Sequence, residues 1–314
     1  MITGAKIFSS EENIEHFKSK LPITADIFLT AYCNNKCKYC TYGRWELEHG
    51  EKRYMSYDLF VKVAKRLKEL GTRGFILTGG GEPTINPDFS RIVEYLESEG
   101  IPYGINTNFN VYREFSPNYL KVSLDSSNAD DYKAIRGVDK YADVMKNIAE
   151  YARNKHEVTK LGLQCVVSHE GQATKFYAEH KGLDVDYIVF RPIESTGGRY
   201  YKDHAQELER IKQELDVLSR ADGRIVVNYK WHETGARFSK CYGQWAQIAV
   251  DEKGQVIYCC HKPYEVVGSI FDKNIMKKKS AYKTDMSMCD VPCRMTGSNK
   301  QLEMMEYEQE SCFI

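Results

Sequence analysis

Three cysteines stand close together in Cys33-Asn34-Asn35-Lys36-Cys37-Lys38-Tyr39-Cys40, with three and then two residues between them. A loop this tight can aim all three sulfurs at one point. Cysteine thiolates are the usual protein ligands of iron-sulfur clusters. Three of them without a neighbouring fourth leave one iron of a 4Fe-4S cluster with an open position, where a chelating cosubstrate could bind. The competing chemistry is a structural zinc site, which closes with four ligands. His49 is the nearest candidate for that fourth ligand, and nothing in the spacing pairs it with the loop.

Downstream, Phe75-Ile76-Leu77-Thr78-Gly79-Gly80-Gly81-Glu82-Pro83 reads as a strand running into three glycines and an acid. Glycines let a ligand approach the main chain closely, and Glu82 offers a carboxylate to an ammonium group. The plainer reading is a tight turn after a strand. In Lys121-Val122-Ser123-Leu124-Asp125, Ser123 and Asp125 share one strand face and Val122 and Leu124 the other. Polar side chains on an inward face need a partner. Asp125 equally suits the cap of a helix that begins near Ala129. Ala134-Ile135-Arg136-Gly137 presents a guanidinium, which can grip a carboxylate with two parallel bonds. Leu161, Leu163, Cys165 and Val167 share a face opposite Gln164 and Ser168, so Cys165 reads as a core thiol and Gln164 as a lumen contact. Arg191 ends the next apolar run, where barrel sites are built, although a structural salt bridge would place it there too.

These residues need elements to hold them. From residue 24 to about 220, short apolar runs alternate with amphipathic stretches, the pattern of βα units around a parallel sheet. Six strands are expected: Asp26 to Ala31, Gly74 to Thr78, Tyr103 to Thr107, Leu120 to Leu124, Leu161 to Val167 and Tyr187 to Arg191. Ser56 caps a helix whose stripe is Leu59, Phe60, Val63, Leu67 and Leu70, ending at Gly71; another helix runs from about Lys202 to Leu218. Trp245 to Val250 and Gln255 to Tyr258 alternate like the arms of a hairpin turning at Asp251-Glu252-Lys253-Gly254. The expected division is an N-terminal extension over 1–23, a partial barrel over 24–222 and a cysteine-rich region over 223–314. Lys277, Lys278 and Lys279 read as a solvated basic run.

Lysine plus arginine and aspartate plus glutamate both total 44, so no global basic field points to nucleic acid or to an anionic membrane. No secretory pattern opens the chain, and no run reaches ~18 apolar residues. The chain is read as soluble and cytoplasmic. In that setting ten cysteines suit metal ligation better than disulfides.

The cysteine spacing, the aromatic Tyr39 before the last cysteine and the placement after the first strand resemble the signature of the radical S-adenosylmethionine (SAM) superfamily, over roughly residues 24 to 195. The resemblance implies a partial (β/α)6 TIM-like barrel, with Cys33, Cys37 and Cys40 on a 4Fe-4S cluster that reductively cleaves SAM to a 5'-deoxyadenosyl radical. Gly80, Gly81 and Glu82 resemble the motif that holds the SAM amino group, and Arg136 the arginine that pairs with its carboxylate. Tyr39, Asn108, Ser123 and Gln164 complete the implied cofactor contacts. Phe109 replaces the glycine that usually follows Asn108. Cys241, followed by twelve residues, Gly254, four residues and Cys259, resembles the opening of a SPASM or Twitch auxiliary-cluster domain. Cys289 and Cys293 would complete that second, auxiliary iron-sulfur cluster; Cys260 could replace Cys259, Cys312 could replace Cys289 or Cys293, and a zinc ribbon is the plainer alternative.

The implied activity is hydrogen-atom abstraction from a substrate carbon, with oxidation, cross-linking or epimerisation of a peptide as the leading expectation and an electron donor such as flavodoxin or ferredoxin. Other readings stand beside it: a dehydrogenase or isomerase of a carbohydrate or nucleoside, modification of a nucleotide or nucleobase, to which the neutral charge gives no support, and a non-catalytic metal-cluster scaffold.

Overall fold

The computed structural model describes residues 10–40, 42, 53–193, 195–196, 203–227, 231, 238, 240–291, 293, 295–296, 299–300 and 302–304. His49 and Cys312 lie outside them. Each of the six expected strands forms: β1 Thr24–Phe28, β2 Gly74–Thr78, β3 Tyr103–Thr107, β4 Tyr119–Ser123, β5 Lys160–Val167 and β6 Tyr187–Pro192. They lie side by side in chain order and pair in parallel. Helices α1 Glu11–Lys18, α2 Tyr57–Glu69, α3 Phe89–Ser98, α4 Ala129–Arg136, α5 Tyr141–Asn154, α6 Gln172–His180 and α7 Ala205–Ala221 precede and connect them. This is the α/β, mostly parallel architecture of a partial TIM-like barrel.

Alternation in the strands decides what faces the helices. Ala25, Ile27, Phe75, Leu77, Ile105, Leu120, Val122, Leu163 and Phe190 are buried in one core with Phe60, Val63 and Leu67 of α2, Ile92 and Leu96 of α3, Ile148 of α5 and Phe176 of α6. The opposite face carries Asn106, Lys121, Ser123, Gln164 and Arg191, and this polar face positions the site. Ser56 caps α2 by accepting from the Leu59 amide, as its sequence predicts.

Four further strands enlarge the sheet. After β7 Ser195–Thr196, β8 Ile225–Val227 pairs in parallel with β6. The short α8 Gly243–Ala246 leads into β9 Gln247–Val250, which pairs in parallel with β1, and β10 Gln255–Cys259 returns antiparallel to it. β11 Lys262–Ser269 pairs antiparallel with β10, and α9 Ile275–Ala281 and β12 Asp290–Val291 follow. The expected hairpin is present, with Asp251 accepting from the Lys253 and Gln255 amides across its turn. One ten-stranded sheet therefore runs β11-β10-β9-β1-β2-β3-β4-β5-β6-β8. At its flank Phe17 of α1 stacks on Trp245, ring centroids 5.7 Å apart, within a small core of Ile23, Tyr242 and Leu302.

Candidate radical SAM site

β1 delivers the chain into the cysteine loop, and the end of α4 pins that loop in place. The Lys36 and Lys38 amides donate to the carbonyls of Arg136 and Ile135, each at 2.9 Å, and the Cys40 amide closes a turn on the Cys37 carbonyl. All three cysteines are half-buried. Two sulfurs face donors: Asn35 N and Asn108 Nδ2 lie 3.4 and 3.8 Å from Cys33 Sγ, and Arg136 Nη1 lies 3.3 Å from Cys37 Sγ. Donors aimed at sulfur suit thiolate ligands and tune the centre they hold, so the residues present fit an iron-sulfur cluster. Among the described residues, no three His, Cys, Asp or Glu side chains are grouped as a single metal ion would need. In the metal-free protein burial, with Glu82 next in weight, pushes the Cys33 thiol up to about 12, and a bound metal would displace that proton.

The glycine motif lies against the cysteine loop. The Gly81 and Glu82 amides donate to the carbonyls of Thr30 and Tyr32, both at 2.9 Å. A Cβ on Gly81 would overlap the Tyr32 carbonyl, one residue before Cys33; the missing side chain is what lets the two segments meet. Gly81→Ala is therefore expected to retain the fold yet bind less iron on anaerobic reconstitution, measured as iron per chain. Wild-type iron content in that variant would count against the close contact. A Cβ on Gly80, by contrast, would stand at ordinary contact distance from Thr30, Ala31 and the Tyr42 ring.

Glu82 is 3% exposed. Its Oε1 accepts from Thr84 N (3.2 Å), Thr84 Oγ1 (2.7 Å) and Thr107 Oγ1 (2.5 Å), and Oε2 accepts from Asn108 N (2.7 Å). Burial nevertheless pushes the carboxyl up against all four donors. A carboxylate has about four lone-pair positions, so the free capacity is on Oε2. Asn108 ties the motif to the loop, its amide nitrogen 2.6 Å from Asn34 Oδ1. Phe109 adopts φ 58°, the left-handed conformation glycine takes without strain. Its ring is fully buried against Phe115 and Tyr151, so the glycine-like backbone is kept by packing.

Asp125 is not the cap of α4; Asn128 is, accepting from the Asp131 amide at 2.9 Å. Asp125, itself at φ 62°, reaches instead across the barrel end, accepting from Val166 N (2.8 Å) and pairing its Oδ2 with Arg136 Nη2 (2.7 Å). Local spacing could not reveal this because Val166 lies 41 residues on and Arg136 sits at the far end of the next helix. The Arg136 guanidinium is thus divided between Asp125 and Cys37, with a buried Nε that has no hydrogen-bond partner. Ser123 and Gln164 are register neighbours on β4 and β5, and Gln164 Oε1 accepts from Arg191 Nη1 at 3.1 Å. Tyr39 is half-buried, with the Lys38 ammonium 5.9 Å above its ring. Cys165 is fully buried, as read, with Gln172 Nε2 3.7 Å from its sulfur.

Of the C-terminal cysteines, Cys241, Cys259, Cys260, Cys289 and Cys293 are half-buried. Asn299 Nδ2 lies 3.6 Å from Cys241 Sγ, the His261 amide 3.5 Å from Cys259 Sγ and the Met295 amide 3.3 Å from Cys293 Sγ. Burial first, then the thiols of Cys241, Cys259 and Cys289, raise the pKa of the Tyr258 hydroxyl. The Cys260 carbonyl accepts from the Tyr42 hydroxyl. Thr84, Thr107, Asn34, Asn35 and Asn299 escaped sequence reading. Only Thr84, two residues after Glu82, had a local signal, that of a side-chain turn.

This fold and this loop define a radical SAM domain, and residues 27–163 match the Radical SAM superfamily. Such a domain works with a 4Fe-4S cluster and SAM. Among curated relatives, the chain is 34% identical to the GTP 3',8-cyclase of Edwardsiella ictaluri over 130 residues, covering 38% of this chain and 39% of that protein. It is 29% identical to the probable GTP 3',8-cyclase of Methanococcus maripaludis over 201 residues, covering 60% and 66%. The chain thus spans less than two thirds of either relative. Among solved structures, anSMEcpe with bound AdoMet superposes with TM-score 0.62 at 17% identity, covering 85% of this chain and 83% of that one. Streptococcus suis SuiB bound to its precursor peptide SuiA gives 0.59 at 14%, covering 94% and 77%. At these identities the likeness establishes the fold alone. The expectation of a peptide substrate is overturned by the curated relatives, which are named for a reaction of GTP. Among the described residues no helix is long and apolar enough to cross a membrane.

Proposed function

We propose that this chain is a radical SAM enzyme acting on a small molecule of the nucleotide class, with a second, Twitch-like iron-sulfur cluster on Cys241, Cys259, Cys289 and Cys293. The observation that carries the radical reading is the convergence of the Cys33-Cys37-Cys40 loop, Glu82, Asn108 and Arg136 at one end of the barrel. Nucleotide chemistry is supported by the GTP 3',8-cyclases to which the barrel is similar.

When bound, the cluster and SAM supply a 5'-deoxyadenosyl radical, the electron coming from a small donor protein such as flavodoxin or ferredoxin. The chain's own residues bind and orient. Cys33, Cys37 and Cys40 hold the cluster; Glu82 offers the open side of Oε2 to the SAM ammonium; Asn108 fixes the cysteine loop against the glycine motif. Arg136 donates toward Cys37 Sγ, and its partnerless Nε is left for the cosubstrate carboxylate. Ser123, Gln164 and Arg191 line the inner face where a substrate would meet the radical.

Anaerobically reconstituted protein with dithionite and SAM should release 5'-deoxyadenosine, and Cys37→Ala should drop it to background. Adding GTP should accelerate that release and consume the nucleotide. Release unaffected by GTP or any other nucleoside triphosphate would end the nucleotide reading and leave SAM cleavage standing. Absence of 5'-deoxyadenosine from iron-replete protein would end both and favour a non-catalytic scaffold.

A further inference from the structure

The run Lys277-Lys278-Lys279 is not uniformly solvated. Lys277 and Lys278 are exposed, but Lys279 is 0% exposed. It shares the inward face of α9 with buried Ile275, one helical turn away, so a lysine occupies a position where an apolar side chain would fill the same space. Its Nζ donates to the Tyr258 carbonyl at 2.6 Å and lies 5.3 Å from the Tyr258 ring centroid. No carboxylate within ion-pair distance accompanies it among the described residues, although the neighbouring Lys278 and the buried Lys262 each have one. An ammonium removed from water without a counter-charge is strongly unfavourable. Burial pulls its pKa down, and the groups that oppose this are the thiols of Cys259, Cys241 and Cys260; the Tyr258 carbonyl fixes it one residue from Cys259.

We propose that Lys279 is the internal counter-charge of an iron-sulfur cluster ligated by Cys241 and Cys259, a positioning residue that favours the cluster's reduced form. The inference rests on the second-cluster reading above. A thiolate-ligated cluster carries net negative charge and gains more on reduction; a fixed cation in a low-dielectric site stabilises the more negative state and raises the midpoint potential.

The test uses full-length, anaerobically reconstituted wild type, Cys241→Ala, Lys279→Gln and Lys279→Arg. Iron and sulfide per chain are measured first, then potentiometric titration followed by electron paramagnetic resonance. Cys241→Ala should lose one of two clusters; a wild type that holds a single cluster, unchanged by Cys241→Ala, overturns the cluster reading and this inference with it. With two clusters present, Lys279→Gln keeps a polar N–H donor and removes the charge. It should move one of the two midpoint potentials to a more negative value, or release that cluster's iron, while the Cys33-Cys37-Cys40 couple stays in place and Lys279→Arg keeps both potentials near the wild-type values. Lys279→Gln with both clusters and both potentials as in wild type overturns the inference alone. Should glutamine not fold, Lys279→Met, which also deletes the charge, is judged by the same two outcomes.

Discussion

Glu82→Ala is expected to lower the unfolding free energy of the cofactor-free protein by about 3 kcal/mol, from two backbone donors each costing about 1–3 kcal/mol when buried unpaired. The Thr84 and Asn108 amides are fixed by the backbone and cannot turn elsewhere, whereas the Thr84 and Thr107 hydroxyls can rotate to other acceptors. Removing the desolvated carboxylate, whose pKa burial raises, recovers part of the loss, which is why the net figure falls below the gross sum. Urea denaturation under anaerobic conditions measures it. Repeated on cluster-reconstituted protein with SAM present, the experiment tests function: wild type should gain stability from SAM, because a ligand that binds only the folded state shifts the equilibrium toward it, and Glu82→Ala should gain far less. A variant that keeps the full SAM-dependent gain would remove Glu82 from the cosubstrate site.

Arg136→Met should be at least as damaging. Asp125 and Arg136 pair with side chains only 7% exposed each, and deleting one member of such a pair leaves an uncompensated buried charge costing about 3–5 kcal/mol. Asp125→Asn in the same chain should relieve much of that loss, a non-additivity expected of contacting residues. Arg136→Lys separates stability from chemistry. An ammonium can still meet Asp125, but it lacks the planar fork that reaches Asp125 and Cys37 together. Denaturation midpoints should largely recover in Arg136→Lys while the rate of 5'-deoxyadenosine release stays depressed. Full recovery of that rate would show that the donor on Cys37 contributes nothing to the centre.

The barrel was legible because each strand carries its own alternation and each connecting helix its own stripe: Gly74 to Thr78 and Tyr103 to Thr107 form with the expected bounds, and Ser56 caps α2. What escaped depends on distant partners. The three residues of β8 have no pattern apart from their pairing with β6, and the docking of β9 beside β1 joins residues more than two hundred positions apart. Asp125 looked like a cap because Ala129 follows it at helical distance, yet Asn128 takes that role and frees Asp125 for Arg136. Lys279 hid within a run of like charges that composition alone assigns to the surface. The cysteine loop was readable as a cluster site, but its supporting donors from Asn108 and Arg136 come from other βα units. Substrate class had no local signature at all; it was corrected by relatives.

The docking of β9 against β1 has a consequence for how the molecule holds together. β1 feeds the Cys33 loop and is flanked on one side by the strand that lies between Cys241 and Cys259, with Tyr42 fastened to Cys260 across the seam. A chain ending at residue 222 would not be a smaller free-standing enzyme: it would unzip a ladder of main-chain bonds and leave β1 as a bare, sticky border ready to recruit another chain. Damage at either cysteine cluster should then be felt at the other as shared fragility, the behaviour of a single cooperative unit and not of two beads on a string.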